Sequence, residues 1–228
     1  MNTSAAITRL AFLLRVLACL SVLGLPALPA CAQAVGTTHS LPEPSTSPGI
    51  QPRFMLMNPL GRAVSTHDFS GRYQLVTFGF VSCPDVCPTT LLEFKQILDS
   101  LGEDAKQLQA IFITVDPERD TLAVLREYTQ AFDARILGLT GPPKFIRRAA
   151  ESFRVQYEKV SEPGAAPTIY TMNHTAGMVL LDTDGRFVMR FPYAKPVPEI
   201  AQEIRQVMAA GKAQKDLHAA EAPATPGQ

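Results

Sequence analysis

The segment that most constrains the fold runs from Arg72 to Leu101: R-Y-Q-L-V-T-F-G-F, then V-S, then C-P-D-V-C-P, then T-T-L-L-E-F-K-Q-I-L-D-S-L. Its first part is nearly all apolar after Gln74, the pattern of a central strand covered on both faces. Its last part sets Leu91, Leu92, Phe94, Ile97, Leu98 and Leu101 at helical spacing and is closed by Gly102. A buried strand feeding an amphipathic helix is the first half of a β-α-β unit, and such units build parallel sheets. At the junction stand Cys83 and Cys87, four apart and fenced by Pro84 and Pro88.

The remaining pattern extends this unit. Phe54 and Leu56 alternate with Met55 and Met57, and Gly61 and Val64 complete the signal of a small N-terminal hairpin. Gln109 to Val115 reads as a second buried strand, and Asp120 and Thr121 as N-caps of a helix carrying Leu122, Leu125, Tyr128 and Phe132. Ile136 to Leu139 is a short strand, and Lys144 to Phe153 a helix opened by Pro142-Pro143. Met178 to Leu181 and Phe187 to Phe191 flank Asp184-Gly185, a strong hairpin signal. Val197 to Met208 is a last helix. The order β-α-β-α-β-α, β-hairpin, α predicts an α/β domain over residues 53–210. Its skeleton is that of the thioredoxin fold, with an inserted α-β pair and an added N-terminal β-hairpin.

The ends of the chain read differently. Arg9 and Arg15 precede an uncharged stretch, Val16 to Leu25, followed by Pro26, Pro29 and small residues. That is the order of a secretory signal, and Ala32-Gln33-Ala34 fits its cleavage rule. Leu28-Pro29-Ala30-Cys31 loosely resembles a lipoprotein box, and the uncharged run from Val16 to Val35 is long enough to anchor in a membrane. Prolines in that run favour a cleaved signal, and all three readings export the rest of the chain, which predicts a periplasmic domain, soluble or tethered to the inner membrane. Residues 1–34 are therefore expected to be a signal peptide or membrane anchor, and the Pro- and Ser/Thr-rich residues 35–52 a flexible tether. Residues 211–228 are expected to be a disordered tail. Lys+Arg and Asp+Glu balance at 21 each, which excludes the basic field that nucleic acid requires.

Of four cysteines, Cys19 and Cys31 fall in the leader, which leaves Cys83 and Cys87 in the folded part. A buried staple, a redox couple and a metal clip would each use this pair. A disulfide across so short a loop contributes only about 2 kcal/mol, and with 46% apolar residues the domain does not need it. The usual redox couple of this fold has two intervening residues, not three. The wider loop lets both sulfurs approach one ion at about 2.3 Å. Asp85 is placed to cap the following helix, whose N-terminus is expected to lower the thiol pKa values. Two thiolates suit a soft ion such as Cu(I) or Zn(II) and call for a third ligand.

His174 is the candidate, because N-H-T-A lies just before the terminal hairpin, at the junction that faces the cysteine loop in thioredoxin-like chains. His39 lies in the tether, His218 in the tail, and His67 reads as a solvated turn residue. Asp116, Glu118, Arg119 and Asp120 read as helix caps and a surface ion cluster, with Asp116 the one that could line the site. Met55, Met57, Met172 and Met178 read as core, as do Phe78 and Phe80.

C-P-D-V-C-P, T-V-D-P-E-R-D-T, G-L-T-G, and N-H-T-A with D-T-D-G, in that order, resemble the Sco/SenC family of exported, often membrane-tethered copper proteins with a thioredoxin-like fold. The resemblance runs from about Phe54 to Met208. It implies a copper ion held by Cys83, Cys87 and His174, and a metallochaperone whose partner is the copper-site subunit of cytochrome c oxidase. Other periplasmic copper carriers or thiol reductants are further expected partners. A thiol–disulfide oxidoreductase using Cys83 and Cys87 as its redox pair, or a redox sensor, are the alternatives, so enzymatic activity stays open. Asn173 stands where an acidic residue is frequent in the family, and Leu122 where proline is common.

Overall fold

The structure is a computed structural model and describes residues 51–221. The leader or anchor expected over 1–34, the tether up to residue 50, Cys19, Cys31, His39 and the tail residues 222–228 lie outside them.

The strand β3 (Tyr73–Gly79) has all seven residues buried, as its nearly all-apolar run requires of a central strand. It pairs in parallel with β4 (Leu108–Thr114), which pairs in parallel with β5 (Ile136–Leu139). On its other side β3 pairs antiparallel with β8 (Met178–Leu181), and β8 with β9 (Phe187–Phe191), giving the order β5-β4-β3-β8-β9. The N-terminal hairpin is β1 (Met55–Met57) with β2 (Ala63–Ser65). Helices α1 (Val86–Leu101), α2 (Leu122–Phe132), α3 (Pro143–Ser152) and α4 (Val197–Glu221) complete the thioredoxin-like arrangement.

Alternation along β3 shows how the helices cover both faces. The Tyr73 hydroxyl reaches the Val207 carbonyl of α4 at 3.4 Å, and Gly79 faces Cys87 of α1. Phe78 points the other way and meets Phe153, just past α3, edge-on at 5.5 Å.

Four expectations need correction. First, β6 (Tyr157–Val160) and β7 (Thr171–His174) form a separate antiparallel hairpin that the pattern reading did not include. Second, the last helix runs past Met208 and the expected end at Ala210, to Glu221. Its continuation is rich in Ala, Lys and Gln, which favour helix, and Gly211 sits where Tyr73 leaves no room for a Cβ. Third, α1 begins at Val86 and not at Thr89, so Cys87 lies inside its first turn. Fourth, Met55 and Met57 are 60% and 36% exposed, because Leu56 takes the inward face of β1. Met172, Met178, Phe78 and Phe80 are buried as expected. Among the described residues no helix is long and apolar enough to cross a membrane.

Candidate metal centre

The chain leaves β3 at Gly79 and Phe80 and turns so that the Cys83 amide donates to the Phe80 carbonyl at 3.2 Å. Helix α1 then starts, and the Cys87 amide donates to the Cys83 sulfur at 3.4 Å. Pro88 lies in this first turn, where a missing amide hydrogen removes no helical bond. Asp85 occupies the N-cap position but its side chain caps nothing, contrary to expectation. Both thiols are free, Cys83 half-buried and Cys87 2% exposed.

Gly79 makes the close packing possible. A Cβ there would stand 2.7 Å from the Phe112 ring and 2.8 Å from the Cys87 sulfur. The expected lowering of the thiol pKa is overturned at Cys87. Burial pushes it well up, against a hydrogen bond donated by the Phe80 backbone amide that lowers it, and the Cys83 side chain adds to the rise. The helix N-terminus does not offset the loss of water.

His174 ends β7, opposite Tyr157 of β6. Its Nε2 lies 3.7 Å from the Cys87 sulfur, and its Nδ1 lies 3.1 Å from the Thr175 carbonyl. A carbonyl only accepts, so Nδ1 carries the proton and Nε2 presents a lone pair toward the cysteine. A ring oriented through its second nitrogen in this way is the usual preparation of a metal-binding histidine. Burial lowers the His174 pKa, against an opposing contribution from the Thr175 bond, and keeps the ring neutral. The Phe80 ring meets the imidazole edge-on at 6.0 Å and 88°. A cleft of about 180 Å³ opens over Cys83 and His174, between Phe80, Pro84, Met172 and Ala176.

The arrangement brings Cys87 and His174 together and leaves Cys83 beside them. Among the described residues no three Cys, His, Asp or Glu groups form a complete cage for a metal ion, so the three donors have to draw closer to meet on one ion. Two thiol sulfurs and a neutral imidazole nitrogen remain a donor set for a soft ion. His67 is exposed in the 3-10 turn Thr66–Phe69, and His218 is exposed on α4.

The acidic residues of the expected ion cluster divide, and only Glu118 is exposed. Asp116 and Asp120 are 2% and 1% exposed, not on the surface. Thr121, not Asp120, caps α2, accepting from the Val124 amide at 3.3 Å. Asp120 instead accepts from the Thr114 hydroxyl at 2.6 Å and the Val81 amide at 3.0 Å, and burial raises its pKa. The β6–β7 hairpin that carries His174 also escaped sequence reading. The alternation of Val155 and Tyr157 with Gln156 and Glu158 was the one signal that could have found it.

The SCO1/SenC family model matches residues 42–209. The cow (Bos taurus) mitochondrial SCO2 homolog is 37% identical over 159 residues, which are 69% of this chain and 59% of that protein. The chain thus spans about three fifths of the length of that relative. The structure of Bradyrhizobium japonicum ScoI with copper bound is 41% identical, covers 68% of this chain and 96% of that one, and superposes with a TM-score of 0.62. BsSco, described as a member of the Sco family of cytochrome c oxidase assembly proteins, is 22% identical with a TM-score of 0.51 over 68% of this chain and 90% of that one. At that identity it shows the fold.

Proposed function

Given that the chain belongs to the SCO1/SenC family, we propose that it is a copper metallochaperone. It takes one copper ion on Cys83, Cys87 and His174 and delivers it to the dinuclear copper site of cytochrome c oxidase, from a domain exported to the periplasm. The observation that carries this is the 3.7 Å approach of His174 Nε2 to the Cys87 sulfur, with Nδ1 committed to the Thr175 carbonyl. The copper-bound ScoI relative supports the identity of the ion. Loading replaces thiol protons, the one on Cys87 being firmly held, so uptake at neutral pH releases protons and tightens as pH rises.

One observation favours a second use of the same pair. Cys83 is half-buried while Cys87 is enclosed behind it, the division between an attacking and a resolving thiol. As a reductant, the Cys83 thiolate would attack a client disulfide and form a mixed disulfide, releasing one client thiolate. Cys87, losing its proton, would displace the second and close a Cys83–Cys87 disulfide. Two electrons pass to the client.

His174 separates the two uses. X-ray absorption of the copper-loaded domain should show two sulfurs and at least one nitrogen, and a complex without sulfur would overturn the site. His174→Ala should abolish copper delivery to an oxidase copper-site fragment while leaving reduction of its disulfide largely intact. Delivery at the parental rate with reduction lost would reverse the order of the two functions.

A further inference from the structure

The hairpin β6–β7 pairs with no strand of the five-stranded sheet, so main-chain hydrogen bonding does not fix where His174 lies relative to the cysteines. Side chains of the turn T-V-D-P-E-R-D-T, residues 114–121, occupy that role. The Asp116 carboxylate is 2% exposed. One oxygen takes the Arg119 Nε, and the other accepts from the Tyr170 hydroxyl at 2.9 Å. The Arg119 guanidinium lies 3.9 Å over the Tyr170 ring and donates to the Tyr170 carbonyl at 3.0 Å. Tyr170 directly precedes β7, four residues before His174. Lys159 of β6 adds a 2.8 Å ion pair with Glu118 and stands 4.0 Å from the Tyr170 ring centre. Arg119 also approaches the Phe80 ring, at 6.0 Å, whose edge meets His174. At the other end of the same turn, Asp120 holds the Val81 amide, two residues before Cys83.

We propose that this turn is a bracket that sets the separation of the cysteine loop and His174, with Asp116, Arg119 and Tyr170 as positioning residues of the metal centre. The inference rests on the copper reading above. An extended strand advances about 3.3 Å per residue and transmits a displacement at one end to the other. Moving Tyr170 therefore moves His174, and a ligand misplaced by about 1 Å is enough to spoil a metal site. A purely structural turn would have no need to grip both segments that supply ligands.

The test compares Arg119→Gln with the parent, each with and without His174→Ala, by competition for Cu(I) with a chromophoric chelator. In the parental background Arg119→Gln should weaken copper about 10- to 100-fold, the usual loss when a group supporting a ligand is removed. X-ray absorption should show the nitrogen weakened and both sulfurs kept. In the His174→Ala background the same change should cost nothing further. In the metal-free protein the His174 ring proton resonances should shift and broaden while the amides of β3 and β4 keep theirs. Should Arg119→Gln fail to fold, Tyr170→Phe, which removes one hydroxyl, should give a several-fold loss with the same dependence on His174. Equal losses in both backgrounds, or parental affinity in both single variants, would overturn the bracket. If His174→Ala alone kept parental affinity, the copper reading would fall first and the bracket with it.

Discussion

Cys87 stands on the sheet. It opens α1 just beyond a strand whose seven residues are all buried, and its sulfur rests against Gly79, where the Phe112 ring also packs. His174, 3.7 Å away, stands on a hairpin in which only Met172 is buried. One donor is supported by the cooperative core of the main sheet, the other by a separate two-stranded hairpin and a few side chains reaching across to it from a turn. The two regions should therefore fail differently. Damage under Cys87 should unfold the domain, whereas damage beside His174 should alter the site and leave the fold standing.

The comparison breaks first, and hardest, at Phe112, which is fully buried in β4. Phe112→Ala should cost about 3–5 kcal/mol in urea unfolding, the range for deleting a core aromatic ring. Probes on the main sheet and on the hairpin should report one shared midpoint. Separate midpoints would show the hairpin to be its own unit and sharpen the contrast.

Gly79→Ala is the next largest. The added methyl meets the Phe112 ring and the Cys87 sulfur, and overpacking of this kind costs about 1–3 kcal/mol. Unlike changes at the hairpin, it should lower stability and copper affinity together. Parental values for both would mean that the ring and sulfur give way freely, and that Cys87 is less firmly seated than its burial implies.

The smallest effect is in the pH dependence of the metal-free domain, where the two donors lie on opposite limbs. Folded Cys87 keeps its proton, while the unfolded chain releases it near about pH 8.5. Above that pH the unfolded state binds fewer protons, so stability falls as pH rises. His174 behaves in reverse. Its folded pKa is lowered, so below about pH 6.5 the unfolded chain gains a proton that the folded one resists, and stability falls as pH drops. Cys87→Ala should flatten the alkaline limb of the unfolding curve and His174→Gln the acid limb. Crossed effects would show that other groups control both limbs.

Much of this was legible in the sequence, because elements with a buried face write their period into it. The apolar run of β3, the helical spacing of Leu91, Phe94, Ile97 and Leu98, and the Asp184-Gly185 turn are local patterns, and each led to the element observed. Placing Cys83 and Cys87 at the strand–helix junction followed from the same patterns, and the topology then singled out His174 from four histidines. Tertiary structure alone decided the rest. Whether a short, mostly exposed hairpin forms at residues 157–174 depends on contacts such as Tyr170 with Asp116, 54 positions apart. Whether Cys87 gains a lowered or a raised pKa depends on the balance between a helix end and the water lost beneath Phe112 and Gly79. Asp116 and Asp120 look like surface caps in sequence because a polar residue in a turn is ordinarily solvated. They are buried because two other segments fold over the turn and take up their oxygens, and no local pattern records the arrival of a distant partner.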